Sequence, residues 1–106
     1  MSEARIVIVG YRPLVGKEQA LEALMKSHVS RLRDEGLSTS RPSIIVKSSN
    51  GTIVEVFEWK SQAAIELAHT NAEVQKMWQE FAEVCEYVPV GELPEMGELF
   101  SEFIPL

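Results

Sequence analysis

The sequence predicts an α+β fold in which a four-stranded antiparallel sheet carries two helices on one face. Two β-branched runs joined by Asn50-Gly51 predict a hairpin between Ser43 and Trp59. Apolar residues at helical spacing predict one helix before this hairpin and one after it. With a further strand near each end of the chain, the predicted order is β-α-β-β-α-β, the ferredoxin-like, split βαβ arrangement.

The first strand is predicted from Arg5 to Tyr11, where apolar residues occupy both alternating positions. Arg12-Pro13 should end this strand because proline cannot donate a hydrogen bond to a neighbouring strand. The first helix is predicted to begin near Gly16 and to end at Gly36, a residue that favours helix C-termini. The apolar stripe of this helix consists of Leu21, Leu24, Met25, His28 and Leu32.

The hairpin turn is predicted to be type I′, in which both central residues, here Asn50 and Gly51, have positive φ. A two-residue loop fixes the strand register, so the predicted pairs are Ser49 with Thr52, Ser48 with Ile53, Val46 with Glu55, and Ile44 with Phe57. One face then carries Ile44, Val46, Ile53, Glu55, Phe57 and Trp59, and the other carries Ile45, Lys47, Val54, Val56 and Glu58. Neither face is cleanly polar, so both faces must be covered.

Two capping residues organise the segment after the hairpin. Ser61 predicts a short helix over residues 62–68, and Asn71 predicts a second helix after a break near His69-Thr70. This second helix should be amphipathic, since its apolar residues recur three and four positions apart. They are Val74, Met77, Trp78, Phe81, Val84, Cys85 and Val88.

The end of the chain is predicted to return to the sheet. Pro89 should stop the second helix, because proline cannot continue the backbone hydrogen bonding. Residues 91–97 form an acidic loop, expected to be solvated surface. Glu98 to Ile104 is the last predicted strand, with Phe100 and Phe103 among its apolar residues.

Two helices can cover only one face of the predicted sheet. The other face would expose a larger apolar area than a monomer usually leaves in water. At about 25 cal/mol per Å², burying that area is worth many kcal/mol. A second copy related by two-fold symmetry is the common solution, so the sequence predicts a homodimer.

Composition narrows the class of protein. A chain of 106 residues predicts a single domain over residues 1–106. Its net charge of −6 disfavours nucleic acid and anionic membranes as partners. The single cysteine, Cys85, excludes an internal disulfide. No apolar run approaches the roughly 20 residues of a membrane helix, so a cytoplasmic protein is expected.

The stretch from Val54 to Val88 carries a resemblance to a known family. Glu55-Val-Phe-Glu-Trp59 leads into Ser61-Gln-Ala-Ala-Ile-Glu-Leu-Ala-His69 and then into Asn71-Ala-Glu-Val-Gln-Lys-Met-Trp78. In the dimeric α+β barrel superfamily, and in its antibiotic biosynthesis monooxygenase-like domains, a strand ending in an aromatic residue and an acid similarly precedes a short helix with a histidine near its end. The element order of nearly the whole chain also resembles these domains.

This resemblance implies a dimeric α+β barrel and oxygenation of a small aromatic or quinol-type molecule without flavin or metal. A base removes a phenolic proton, and the substrate carbanion itself reduces dioxygen, so no cofactor is expected. Haem-degrading relatives instead have an asparagine on the first strand and a tryptophan in the short helix. This chain has Val7, Val9 and Ala68 at those places, so the resemblance does not favour a haem role.

His69 is the predicted catalytic base, because it lies at the helix break. The resemblance supports this prediction, since the related domains also have a histidine near the end of the short helix. Glu55 is the second candidate, since a carboxylate among apolar strand residues must be paired or protonated. It could bind the ligand, act as a base, pair with Arg5 or Lys47, or specify the dimer interface. Trp59, Trp78 and Phe81, together with Tyr11 and Phe57, could line an aromatic pocket.

Other residues fit structural roles. His28 lies on the apolar stripe of the first helix and is predicted to be a core-edge histidine. With His69 and a carboxylate it could form a three-ligand metal site, but the spacing matches no recognised pattern, so no metal is expected. Cys85 is predicted to be an inert buried thiol.

Two alternatives to the oxygenase stay open. The first is a non-enzymatic homodimeric module that binds a small molecule or simply assembles, and the second is an isomerase or lyase of the same barrel type. A contiguous helix–sheet cavity that holds His69 with an unsatisfied side chain would favour an enzyme, whereas a cavity filled by Met77, Trp78 and Phe81 would favour the module.

Overall fold

The computed structural model describes residues 3–106, which form an antiparallel sheet of five strands and four α-helices. The strands are β1 (Arg5–Pro13), β2 (Ile44–Lys47), β3 (Ile53–Trp59), β4 (Cys85–Val88) and β5 (Ile104–Pro105). The helices are α1 (Glu18–Met25), α2 (His28–Asp34), α3 (Gln62–Ala68) and α4 (Ala72–Ala82). Two short 3₁₀ helices, Val90–Glu92 and Pro94–Gly97, follow β4.

The predicted fold class is confirmed. The strand order is β4-β1-β3-β2-β5, and its first four strands have the ferredoxin-like arrangement. The predicted count of four strands is wrong, because β5 adds a short fifth strand outside β2. None of the helices in residues 3–106 has the length and apolar character needed to cross a bilayer.

The hairpin forms, but its turn and register differ from the prediction by one residue. The loop contains three residues, Ser49 to Gly51, and is closed by a hydrogen bond from the amide of Ser48 to the carbonyl of Thr52 at 2.8 Å. Gly51 has a φ of 91°, whereas Asn50 keeps a negative φ. The Asn50 side chain instead accepts a hydrogen bond from the amide of Thr52 at 3.0 Å. This local bond favours a three-residue loop with a single left-handed residue over the type I′ turn.

The one-residue shift exchanges the faces of β2. Ile45 pairs with Glu55, and Ile44 pairs with Val56, where Val46–Glu55 and Ile44–Phe57 pairs were predicted. Ile45 and Lys47 therefore share the helix-covered face with Glu55, and Ile44 and Val46 lie on the opposite face.

The predicted first helix is two helices with a break at Lys26-Ser27. At Ser27 the amide and the hydroxyl both bond the carbonyl of Leu24, at 3.2 and 3.4 Å, so the last turn of α1 tightens to a 3₁₀ geometry. Gly36 ends α2 as predicted, with a φ of 75°. The amide of Leu37 then bonds the carbonyl of Leu32, and the amide of Gly36 bonds that of Arg33, which together form a Schellman motif.

Both predicted caps after the hairpin are confirmed. The Ser61 hydroxyl accepts a hydrogen bond from the amide of Ala64, and the Asn71 side chain accepts one from the amide of Val74, each at 3.0 Å. The break near His69-Thr70 is also present, since α3 ends at Ala68 and α4 begins at Ala72.

The predicted extension of the second helix to Val88 is wrong. The helix ends at Ala82, and Cys85–Val88 form the edge strand β4, paired with residues 10–13 of β1. The apolar spacing of Val84, Cys85 and Val88 fits a helix, but pairing with β1 satisfies the backbone of both strands and prevails. The predicted last strand, residues 98–104, is wrong as well, because regular pairing there is limited to Ile104–Pro105.

The helices cover one face of the sheet, and the opposite face is largely open. The covered face contributes Tyr11, Ile53, Phe57 and Trp59 to a core shared with all four helices. On the opposite face, Ile6, Ile8 and Ile44 are 57%, 55% and 60% exposed. These residues, with the half-buried Val46 and Val56, define what we call the open face.

The C-terminal segment is tied to the hairpin through Glu95. Its carboxylate accepts hydrogen bonds from the amide of Ser49 and the hydroxyl of Ser48, each at 2.7 Å. These bonds, led by the one from the Ser49 backbone, lower the pKa of Glu95 to about 2. The carboxylate is therefore ionised at neutral pH and fastens the segment after β4 to the turn between β2 and β3.

Gly10 marks a close approach between β1 and β4. A Cβ atom at this position would lie 2.6 Å from the carbonyl oxygen of Val88, a backbone atom that cannot rotate away. We predict that Gly10→Ala lowers the free energy of unfolding by about 1–3 kcal/mol, as overpacking usually does. Urea denaturation followed by circular dichroism measures this loss.

Gly97→Ala is the matched control, because a Cβ atom there would meet nothing within 4 Å. Equal stability of the Gly10 and Gly97 variants would contradict the close packing of β1 against β4.

Candidate functional site

A pocket of about 390 Å³ lies between the helix-covered face of the sheet and the helices. Its walls are mostly apolar and aromatic, which is typical of sites for small organic ligands. The lining residues are Val7, Val9, Tyr11, His28, Phe57, Trp59, Trp78 and Tyr87. The space is not filled by Met77, Trp78 and Phe81, the packing that would have favoured the non-enzymatic module.

A buried polar group forms one end of this pocket. Oε1 of Glu55 lies 2.6 Å from Nδ1 of His28 and accepts a hydrogen bond from the Tyr11 hydroxyl at 3.0 Å. Glu55 is completely buried, and His28 and Tyr11 are nearly so. We call these three residues the Glu55 cluster.

The local sequence explains how the Glu55 cluster assembles. Glu55 alternates with Ile53 and Phe57 on the covered side of β3, and the β1 residue opposite it is Val9. Tyr11 lies two residues beyond Val9, so both β1 side chains share that face. His28 is the first residue of α2, and the break at Lys26-Ser27 places it above the strands.

Aromatic rings hold His28 in place. Its ring packs edge-on against Phe57 and Phe81, with centroid separations of 5.3 and 5.1 Å. Phe81 also lies 5.5 Å from the Tyr11 ring. The imidazole is thus fixed by packing as well as by Glu55, which is the preorganisation that a catalytic or binding group needs.

Electrostatics keep Tyr11 protonated and its hydroxyl directed inward. Burial, followed by the nearby charge of Glu55, raises the pKa of Tyr11 far above its usual value. Tyr11 therefore acts as a hydrogen-bond donor to the carboxylate. Burial also raises the pKa of Tyr87 to about 12, so this hydroxyl is protonated at neutral pH too.

The second carboxylate oxygen is unusual. Oε2 of Glu55 is the one buried side-chain oxygen or nitrogen within residues 3–106 that has no hydrogen-bond partner. A buried carboxylate oxygen that no protein group bonds keeps its full capacity to accept a hydrogen bond. The short contact to His28 offsets part of this cost.

This arrangement leaves one nitrogen of His28 free for chemistry. Nδ1 faces Glu55. Nε2 makes no hydrogen bond within the described chain, and it is not one of the fully buried atoms that lack a partner there, so part of its surface is accessible. Nε2 is therefore reachable from the pocket that His28 lines. A carboxylate on Nδ1 fixes the tautomer with an unprotonated Nε2 and stabilises the cation formed when Nε2 takes a proton.

The structure brings together most of the predicted site residues. Trp59 and Trp78 line the pocket, and Glu55 lies beneath the lining within the Glu55 cluster. Phe81 lies behind Tyr11 and His28 rather than at the pocket surface.

His69 lies apart from the Glu55 cluster. It is exposed at the end of α3, and its ring contacts that of Trp78 at a centroid separation of 5.3 Å. It is not among the pocket-lining residues, so it touches the site only through Trp78.

Two pocket residues were not among the predicted catalytic or ligand-binding residues. His28 was assigned to the core because its helical spacing matched the apolar stripe, although a polar ring opposite a strand carboxylate was the available signal. Tyr87 was missed because Cys85–Val88 was assigned to a helix. As a strand, this segment alternates, and Tyr87 then points to the same side as Tyr11, its β1 partner.

Other candidate chemistry is not supported by the geometry. No three or more His, Cys, Asp or Glu side chains within residues 3–106 lie close enough together to hold a metal ion. Cys85 is buried, and burial raises the pKa of its thiol to about 11, so it is protonated at neutral pH.

Comparisons with known proteins show likeness at the level of structure. No protein-family profile and no curated sequence matches the chain. Rv0793 from Mycobacterium tuberculosis superposes with a TM-score of 0.63 and 18% identity, covering 80% of this chain and 88% of that one. SnoaB, a cofactor-independent oxygenase from Streptomyces nogalater, gives 0.64 and 8%, covering 82% and 88%.

A third solved structure is a candidate antibiotic biosynthesis monooxygenase from Nitrosomonas europaea. It superposes with a TM-score of 0.62 and 13% identity, covering 83% of this chain and 88% of that one. Identities this low show a shared fold and leave the reaction open. The chain therefore shares its fold with these three proteins.

Proposed function

We propose that the protein is a cofactor-independent monooxygenase that oxidises a small phenolic or quinol-type aromatic molecule in the helix–sheet pocket. The observation that carries this proposal is the pairing of His28, which lines the pocket, with the fully buried Glu55. A histidine held by a carboxylate in an apolar cavity is a typical general base. The shared fold with SnoaB, a cofactor-independent oxygenase, supports the same reaction class.

His28 takes the role of base in this proposal because of its position. His69, the base predicted from sequence, is exposed and reaches the pocket only through the ring of Trp78. His28 has a carboxylate partner at 2.6 Å and lies at the pocket surface. A catalytic base needs hydrogen-bond reach to the proton that it removes, and only His28 of these two has that reach within the pocket.

The proposed reaction needs no group beyond the substrate and dioxygen. Nε2 of His28 accepts the phenolic proton, and Glu55 stabilises the resulting imidazolium. The electron-rich substrate anion reduces dioxygen, and a carbon–oxygen bond forms at the activated ring carbon. The imidazolium returns its proton to the peroxide anion, and the resulting hydroperoxide loses water, with the hydrogen of that ring carbon, to leave a quinone. The substrate gives up four electrons, and one oxygen atom enters the product while the other leaves as water.

The pocket walls serve this chemistry by covering part of the substrate. Phe57 and Trp59 are buried and Trp78 is half-buried, so a planar ring between them is partly shielded from solvent. Such shielding strengthens the electrostatic effect of Glu55 on His28. Aromatic walls also bind planar substrates through stacked or edge-on contacts.

A second copy of the chain is the proposed macromolecular partner. The open face exposes Ile6, Ile8 and Ile44 side by side, more than half of each side chain being accessible. Packing this face against its symmetry mate would bury the apolar patch and leave the pocket on the far side of the sheet free for substrate.

The proposal is tested by oxygen uptake. Dialysed protein is mixed with a panel of naphthols, anthrones and hydroquinones in an oxygen electrode, with and without a chelator. We expect dioxygen consumption and quinone formation in equal amounts, unaffected by the chelator. Heat-denatured protein controls for the uncatalysed oxidation.

Two results would contradict the oxygenase. Binding of panel members without oxygen uptake would indicate the alternative function, a small-molecule-binding module. Uptake that depends on added flavin or metal would replace the cofactor-independent mechanism with another one.

A further inference from the structure

The buried end of the pocket is built to accept protons rather than to donate them. Two polar groups converge on one atom, since Nδ1 of His28 and the hydroxyl of Tyr11 lie 2.6 and 3.0 Å from Oε1 of Glu55. With its Nδ1 proton engaged, neutral His28 presents a bare Nε2 to the pocket. Glu55 therefore removes two donors from the ligand's reach.

We propose that the pocket selects uncharged phenols, rejecting their ethers, quinones and carboxylated analogues, and that Glu55 sets this selectivity. This inference rests on the proposed function for the identity of the pocket, but it concerns binding and needs no turnover. Tyr11 acts as a positioning residue, since it touches Glu55 and holds its carboxylate in place.

Burial makes the donor requirement strict. His28 is only 4% exposed, so a ligand oxygen that contacts Nε2 has lost hydrogen bonds to water. A phenolic O–H replaces the lost hydrogen bond by donating to Nε2. An ether or quinone oxygen has no hydrogen to donate. Its lone pair would face the lone pair of Nε2, and no hydrogen bond would offset the repulsion between them.

Charge excludes the carboxylated analogues. None of the described side chains that line the pocket is lysine or arginine, and Glu55 carries a buried carboxylate beneath them. An anionic ligand would lose its hydration without gaining a counter-ion. Selection against anions is thus a property of the pocket wall as well as of its polar end.

The same logic gives a reason for product release. The quinone formed by the proposed reaction has lost the O–H that held the substrate on His28. Its oxygens are acceptors only, so the pocket that binds the phenol binds the product weakly. Turnover then needs no moving lid to expel the product.

The test compares ligands of one ring size by equilibrium dialysis under nitrogen at neutral pH. They are naphthol, methoxynaphthalene, naphthoquinone and a hydroxynaphthoate with its carboxylate remote from the hydroxyl. We expect naphthol to bind about tenfold or more tightly than each of the other three, the ratio that one buried hydrogen bond to a charge-polarised group provides.

Two variants assign the selectivity to Glu55. Glu55→Gln should shrink the preference for naphthol over methoxynaphthalene, since a neutral amide no longer polarises His28. Glu58→Gln is the matched control, because Glu58 lies on the same strand but bonds Thr39 and Arg41 on the opposite side of the sheet, and it should keep the wild-type ratio. A folded glutamine variant that keeps the wild-type preference overturns the assignment to Glu55. Should that variant not fold, Tyr11→Phe, which removes a hydrogen bond to the same carboxylate, takes its place and should also shrink the preference.

Equal wild-type affinity for naphthol and methoxynaphthalene overturns the proposal, and so does tighter binding of the carboxylate or no binding at all. Selective binding without any oxygen uptake removes the proposed function and leaves this inference standing. Oxygen uptake without such selectivity would support the proposed function and overturn this inference.

Discussion

Glu55→Gln should lower the oxygenation rate by about two to four orders of magnitude, the range that a general base contributes. Glutamine keeps the shape of the side chain and can still accept hydrogen bonds from His28 and Tyr11. It cannot stabilise the imidazolium that forms when His28 removes the substrate proton, so the loss should fall on kcat more than on KM. The oxygen electrode measures both constants.

Glu58→Gln is the matched control for this variant. Glu58 lies on the same strand but points to the opposite side, where it bonds Thr39 at 2.8 Å and Arg41 at 3.2 Å. Its replacement should leave kcat unchanged. A Glu55 variant with a circular dichroism spectrum like that of the wild type and more than half of its rate would refute the role of Glu55.

His69→Ala separates the two candidate bases. If His69 were the base, as the sequence predicts, this variant would lose as much rate as the Glu55 variant. Because the ring of His69 touches only Trp78 at the edge of the pocket, we expect a raised KM with kcat largely retained.

Ile8→Glu should convert the proposed dimer, with an expected mass of about 24 kDa or twice that of one 11.9 kDa chain, into a monomer. Ile8 lies on central strand β1 of the open face, opposite Val56, and it is 55% exposed in the single chain. A carboxylate there would be buried without a partner in each copy, which is strongly destabilising at an interface. Light scattering at micromolar concentration measures the mass.

Leu67→Glu controls for the added charge. Leu67 is 60% exposed but lies on α3, on the helix side of the molecule, so this variant should remain dimeric. A wild-type mass of about 12 kDa would refute the proposed dimer, but it would not contradict the proposed pocket chemistry.

The sequence was informative wherever local chemistry decides the structure. The caps at Ser61 and Asn71 and the stop at Gly36 were predictable, because each depends on a side chain or a φ angle within a few residues. The hairpin was predictable too, but its register was not. A single hydrogen bond from Thr52 to the Asn50 side chain exchanges a two-residue loop for a three-residue loop.

The errors lie where tertiary pairing competes with local pattern. Cys85–Val88 has helical spacing to Phe81, yet it pairs with β1, a segment more than 70 residues earlier in the chain. No local signal reports that competition. The same error hid Tyr87, since its orientation follows from strand geometry alone.

The site was predictable in part. Glu55 stood out because a carboxylate amid apolar strand residues requires a partner. The sequence offered Arg5 and Lys47 for that purpose, but the partners are His28 and Tyr11. His28 reaches Glu55 because of the helix break at Ser27, which the uninterrupted apolar stripe of the first helix did not indicate.

Both tryptophans of the chain, Trp59 and Trp78, belong to the wall of one cavity. All tryptophan fluorescence of the protein therefore originates in the wall of this pocket. An aromatic guest that displaces water from these rings would shift their spectrum towards the blue, and a quinone would quench it by accepting an electron. The protein thus carries its own optical probe, and occupancy can be followed in real time without a label.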